Sequence, residues 1–204
     1  MKIAFYHDHH ADRHIYERAF ACAREVYPAA HLIHLCAAGG IETLPDVTRL
    51  EVILKGTFAE QRCFAHLLTH LRWPGEDILF LDTDCFLLAP VDEVWEEPFD
   101  LCVTLMERPL HHMMPTNSGV VFSRSPEFWA LLFQRNQGLP FNVNDHSWVQ
   151  LETNFNNLLS KPRFRVSYVA GSLYNHIPED PAEVAADAKI VHWKGPRKAW
   201  VPKA

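Results

Sequence analysis

Two carboxylates one residue apart, Asp82 and Asp84, interrupt an otherwise apolar stretch, Leu79-Phe80-Leu81-Asp82-Thr83-Asp84-Cys85-Phe86. In an extended chain, residues i and i+2 lie on one face, so this spacing predicts that both carboxylates point at a single hard cation. Mg²⁺ and Mn²⁺ take oxygen ligands and are held by one or two carboxylates together with substrate phosphates. The same pattern also fits an acidic turn that ends a strand. The flanking apolar residues favour the metal, because two charges in such surroundings are costly unless paired or coordinated. A second group lies near the other end, Val191-His192-Trp193-Lys194-Gly195-Pro196-Arg197-Lys198-Ala199-Trp200. His192 offers an imidazole as third ligand, and Lys198, across a glycine-proline turn, is a point charge for a phosphate oxygen. An ordinary surface histidine on a basic tail is the competing account of this stretch.

The elements that must position these groups follow from periodicity. Residues 2–6 read as a first strand, and Asp12 as the cap of a helix with Ile15, Ala19, Ala23 and Val26 on one face. Residues 31–35 form a second strand, and residues 47–54 contain one or two more. Thr57 and Glu60 match a capping box. The helix they open is expected to turn Phe58, Phe64, Ala65, Leu68 and Leu71 inward. Residues 77–81 are a strand buried on both faces of a mainly parallel sheet. Residues 101–105, 119–123, 164–168 and 190–193 read as later strands. Ser125-Pro126 opens a helix through Phe133, and Asp145 caps another through Leu158. Strands alternate with helices in the first half, so the expected fold class is α/β, one domain over residues 1–204, with helices flanking the sheet.

Composition agrees. The 204 residues are 48% hydrophobic and 22% charged, enough for one core, and the net charge of −6 speaks against broad nucleic-acid binding. The five cysteines show no CxxC spacing and read as buried free thiols. No apolar stretch reaches transmembrane length. Charge and histidine arrive too early for a secretory leader, and the expected location is cytoplasmic. His7, His9 and His10 lack companions for a tetrahedral zinc site. Trp95, Phe128, Trp129 and Trp148 are assigned to the core, whereas Trp193 and Trp200 suit core or site. No Walker loop, GxGxxG or GxSxG is present.

With these residues in order, the chain resembles the glycosyltransferases of GT-A fold. Asp82-Thr83-Asp84 resembles their DxD motif. The spacing His192-x-x-Gly195-x-x-Lys198-x-Trp200 resembles the C-terminal H-x-x-G-x-x-K-P-W motif of glycosyltransferase family 8. Asn117-Ser118-Gly119 resembles that family's N-S-G segment at the donor and acceptor cleft. His7 and Asp8 sit where the family contacts the nucleotide base, Arg62 where it places a donor-binding arginine, and Asp145-His146 where it has an Asp-Gln pair near the reacting carbon. The sequence departs from the family at Ala199 for proline and at His146 for glutamine.

The resemblance implies transfer of a hexose from a nucleoside-diphosphate sugar, with UDP favoured, to an acceptor hydroxyl with retention. Asp82, Asp84 and His192 would bind Mn²⁺ or Mg²⁺. His7, Asp8, Arg62, Thr83, Asn117, Ser118, Gly195 and Lys198 would contact the donor, and Asp145, His146 and Lys198 would serve the chemistry. The acceptor class stays open between a glycan, a lipid-linked sugar, a protein and a modified nucleic-acid base. Two other readings also remain open. One is a nucleotidyltransferase or phosphohydrolase on the same metal site, and the other is a degenerate nucleotide-sugar-binding protein.

Overall fold

A computed structural model describes residues 1–7, 12–38, 42–107, 114–137 and 147–201. Asp8, Asp145 and His146, together with His9, His10, His111 and His112, lie outside these residues.

The chain enters β1 (Lys2–His7), crosses α1 (Arg13–Val26) to β2 (His31–Ala37), and continues through β3 (Thr48–Val52) and α2 (Phe58–Arg72) to β4 (Ile78–Asp82). Then follow β5 (Cys85–Leu87), β6 (Leu101–Leu105), β7 (Thr116–Ser123), α3 (Pro126–Asn136) and α4 (Ser147–Leu159). The last elements are β8 (Val166–Ala170), the single turn α5 (Gly171–Tyr174) and β9 (Ile190–His192). Seven strands form one sheet in the order β3-β2-β1-β4-β7-β6-β8, and β5 and β9 form a separate two-stranded ribbon. Pairs β1–β2, β1–β4, β2–β3 and β6–β8 are parallel, whereas β7 runs antiparallel to both of its neighbours.

The apolar runs of the central strands have a direct cause. Side chains alternate between sheet faces, and here both faces are covered. Ile3, Phe5, Leu79, Leu81, Val120 and Phe122 join the core on the α1 side. Ala4, Tyr6, Ile78, Phe80 and Val121 join the core beneath α2, α3 and α4.

Local signals work at most helix starts. The Thr57 side chain accepts from Glu60 N, and Glu60 returns a bond to the Thr57 backbone, completing the capping box. Ser125 Oγ accepts from Phe128 N ahead of Pro126. Asp12 stands at the N-cap of α1, but its side chain makes no capping bond.

The inward face of α2 differs from expectation. Leu71 is exposed, Phe58, Phe64 and Leu68 are half-buried, and of the expected set only Ala65 is fully inside. The buried stripe is instead Ala59, Arg62, Cys63, His66, Thr69 and His70. Each polar member except His66 finds a partner: Arg62 pairs with Asp82, Thr69 Oγ1 donates to Ala65 O, and His70 Nε2 bonds Ser123 Oγ at 2.8 Å. Polar groups with partners are cheap to bury, so they outcompete the apolar stripe for the sheet. The His66 ring packs between Phe80 and Trp129, and its nitrogens find no hydrogen-bond partner among the described residues. All five cysteines are buried free thiols. Among the described residues no helix is long and apolar enough to cross a membrane.

Candidate functional site

The two carboxylates do not sit on an extended segment. Asp82 is the last residue of β4, and Thr83 and Asp84 form the turn that leads into β5. The turn sends the two side chains to different partners. Asp82 Oδ1 lies 2.7 Å from Arg62 Nη2, and the same guanidinium donates to Ser118 O at 2.6 Å. Asp84 Oδ1 lies 3.2 Å from His192 Nε2, and Asp84 Oδ2 lies 3.1 Å from Lys198 Nζ. The backbone closes the junction, with Trp193 N donating to Asp84 O at 2.9 Å and Cys85 facing His192 in the β5–β9 register.

Burial alone would raise the Asp84 carboxyl, but His192 and Lys198 outweigh it and hold the group well below the usual carboxylate range. Glu152 is the counter-case. It is buried at the base of α4, accepts from Ser118 N at 3.1 Å and from Ser118 Oγ at 2.5 Å, and is nevertheless pushed upward by burial.

Asn175 is a member that sequence reasoning missed. Its Nδ2 donates to Thr104 Oγ1 at 2.9 Å, which leaves Oδ1 as acceptor for His192 Nδ1, also at 2.9 Å. Nδ1 of His192 therefore donates to Asn175, which turns Nε2 toward the Asp84 carboxylate. A carboxylate oxygen and an imidazole nitrogen 3.2 Å apart share a proton or, in its place, a cation, so these residues fit a divalent metal. The only legible trace of Asn175 in the sequence was its place just ahead of a histidine in an undistinguished loop.

Gly119 is dictated by close approach. A Cβ there would meet His192 Cε1 at 2.6 Å and Asn117 Oδ1 at 2.7 Å. Gly195 has φ 63°, a left-handed conformation that opens the turn carrying Lys198.

The structure thus brings together Asp84, His192 and Lys198, and beside them Asp82, Arg62, Asn117 and Ser118. Thr83 is buried within the turn. His7 ends β1 with its ring buried; its Nδ1 lies 3.2 Å from His34 Nε2. A cavity of about 490 Å³ opens next to this group, lined among others by Thr116, Asn117, Trp148, Glu152, Asn175 and Lys194. Trp148 was assigned to the core, but it is 40% exposed and borders this cavity. Trp193 and Trp200 stack edge-on at 6.4 Å beside the ribbon.

Solved structures share this arrangement of elements. A glycosyltransferase involved in glycosylation of the major capsid of PBCV-1 superposes with a TM-score of 0.68 at 16% identity, covering 98% of each chain. The fold is GT-A. Galactosyltransferase LgtC, solved with donor and acceptor sugar analogues, shares the GT-A architecture with a TM-score of 0.61 and 15% identity, over 96% of this chain and 88% of its own. Glycosyltransferase GlyE of Streptococcus pneumoniae TIGR4 gives 0.63 and 14%, over 98% of this chain and 56% of its own. Neither a protein-family model nor a curated protein matches the sequence. In the GT-A frame the Asp82–Asp84 turn lies where β4 ends, at the carboxyl edge where open α/β sheets bind ligands.

Proposed function

We propose that this protein is a metal-dependent glycosyltransferase, acting as one domain, that moves a hexose from a nucleoside-diphosphate sugar to an acceptor hydroxyl. The observation that carries the reading is the contact of Asp84 with His192 and Lys198 at the end of β4, because it unites a carboxylate, an oriented imidazole and a lysine ammonium. Three solved structures of the same fold are glycosyltransferases, which supports sugar transfer as the reaction class.

Asp82, Asp84 and His192 would hold Mn²⁺ or Mg²⁺. When bound, such a cation neutralises charge on the departing diphosphate. Lys198, on a short turn and 37% exposed at its side chain, moves from Asp84 to a phosphate oxygen. Arg62 occupies one oxygen of Asp82 and aligns the other toward the donor. Thr83, Gly195, Asn117 and Ser118 border the diphosphate and sugar, with Ser118 held rigid by Glu152. By the resemblance to family 8, His7 and Asp8 would bind the base edge, and Asp145 and His146 would serve the chemistry. Uridine as the base and retention of configuration rest on the resemblance to family 8. The cavity of about 490 Å³ falls within the range of about 300–1,000 Å³ for small-molecule sites and accommodates the acceptor.

Thermal melting with UDP- and GDP-sugars, each with Mn²⁺ and with EDTA, tests this reading. A donor at about 100 times its dissociation constant adds about 2.7 kcal/mol, and the shift is expected to require Mn²⁺. A folded protein that no donor stabilises under either condition is not a transferase of this kind.

A further inference from the structure

Beside the hard ligands lies a soft one. Among the described residues, one oxygen of Asp84, the Cys85 sulfur and one His192 nitrogen all lie within 4.8 Å of one another. The register explains why. Cys85 and His192 are directly opposed in the antiparallel β5–β9 ribbon, and opposed residues present their side chains on the same face. Both also converge on Gly119: the thiol donates to Gly119 O at 3.4 Å, and the imidazole lies over its Cα. Asp82, paired with Arg62, is not part of this group.

Zinc bonds of about 2.0–2.3 Å place tetrahedral ligand atoms about 3.5 Å apart, so three atoms within 4.8 Å need close by no more than about 1.3 Å. Thiolate selects Zn²⁺ over Mn²⁺ and Mg²⁺, and Zn²⁺ also stands above Mn²⁺ in intrinsic affinity for nitrogen and oxygen ligands.

We propose that Asp84, Cys85 and His192 form a thiophilic cation site that takes Zn²⁺ in competition with the harder metal. On binding, the Cys85 S–H proton leaves to water, the sulfur exchanges its bond to Gly119 O for a bond to zinc, and one coordination position stays open. The cation is drawn inward toward β5 and away from Asp82, so Zn²⁺ inhibits donor binding. That last consequence rests on the transferase reading, whereas the site itself does not.

Co²⁺ serves as the spectroscopic probe on metal-stripped full-length protein. A sulfur-to-cobalt charge-transfer band is expected, to be abolished by added Zn²⁺. Cys85→Ser and the apolar Cys85→Val, each checked for an unchanged melting profile, are expected to lose the band and to weaken Zn²⁺ at least tenfold. Mn²⁺ affinity, read by electron paramagnetic resonance, stays within about twofold. Using two variants guards against one that fails to fold. Co²⁺ binding without the band, or Zn²⁺ affinity unchanged in the folded variant, overturns the proposal. A cysteine-dependent band in a protein that ignores every Mn²⁺–donor pair upholds the zinc site and sinks the transferase reading instead.

Discussion

Asp82 and Asp84 are separated by one residue, but their partners come from opposite ends of the chain. Asp82 is held by Arg62, twenty residues earlier on α2, and that arginine is itself 5% exposed and bonded to Ser118 O. Asp84 meets His192, on a ribbon outside the main sheet, and Lys198, in the turn after it, both more than a hundred residues later. The first arrangement is a buried ion pair that ties helix to strand. The second gathers an imidazole and a lysine ammonium around one carboxylate. The difference is that Asp82 ties helix to strand through Arg62, whereas Asp84 gathers the other groups proposed to hold the cation and the donor.

Asp84→Asn tests the binding half and should have the largest effect. We expect Mn²⁺-dependent donor stabilisation to vanish and transfer to fall about 10²–10³-fold, with a loss of stability as well, because the buried carboxylate carries the His192 and Lys198 contacts. Asp82→Asn is expected to do the reverse in emphasis. It strands a buried guanidinium and should cost about 3 kcal/mol in denaturant melts, at the low end for such pairs because Asp82 is 24% exposed at its side chain. Metal-dependent donor stabilisation lost to the same extent in both variants would erase the distinction.

Asn175→Leu sharpens the binding half further. Without the acceptor at Nδ1 the imidazole loses its fixed tautomer, and Mn²⁺ affinity should drop about 10–100-fold by paramagnetic resonance. Asn175→Asp, which keeps an acceptor at that position, should recover part of the loss. A merely structural Asn175 would show no such rescue.

The smallest effect concerns the histidines behind the Asp82 half. Burial lowers His34 and His70 to about 4 and holds His66 well below its ordinary range. Their native forms are neutral while the unfolded chain binds protons below its ordinary pKa of about 6.5, so stability is full above that pH. It is lost as pH falls from about 6.5 through 4, by at most about 1.4 kcal/mol per pH unit for each histidine. His66→Leu should flatten this slope in melts at pH 4.5 to 7. A slope unchanged by the substitution would mean that His66 protonates freely in the folded state.

How much of this was legible beforehand depends on the range of the interaction. Strands β1, β4 and β6 and the capping box at Thr57 are written in a few consecutive residues, so alternation and cap chemistry read them correctly. The face of α2 was misread because hydrophobicity alone ranks Leu71 above Arg62. The order reverses only when Asp82, Ser118 and Ser123 arrive from strands elsewhere. Trp148 was misread for the same reason, since nothing near it in the sequence marks the cavity it borders.

The sequence by itself determined the kinds of side chain at the candidate site, their order along the chain, and the apolar strand that brings Asp82 and Asp84 to a sheet edge. Only the tertiary structure decided that the two carboxylates part company at a turn, that Asn175 orients His192, and that Cys85 joins Asp84 and His192. The physical reason is that cation sites are set by distances of a few ångströms between atoms far apart in the chain. Those distances exist only once β5 pairs with β9 and Gly119 lets the imidazole approach the backbone.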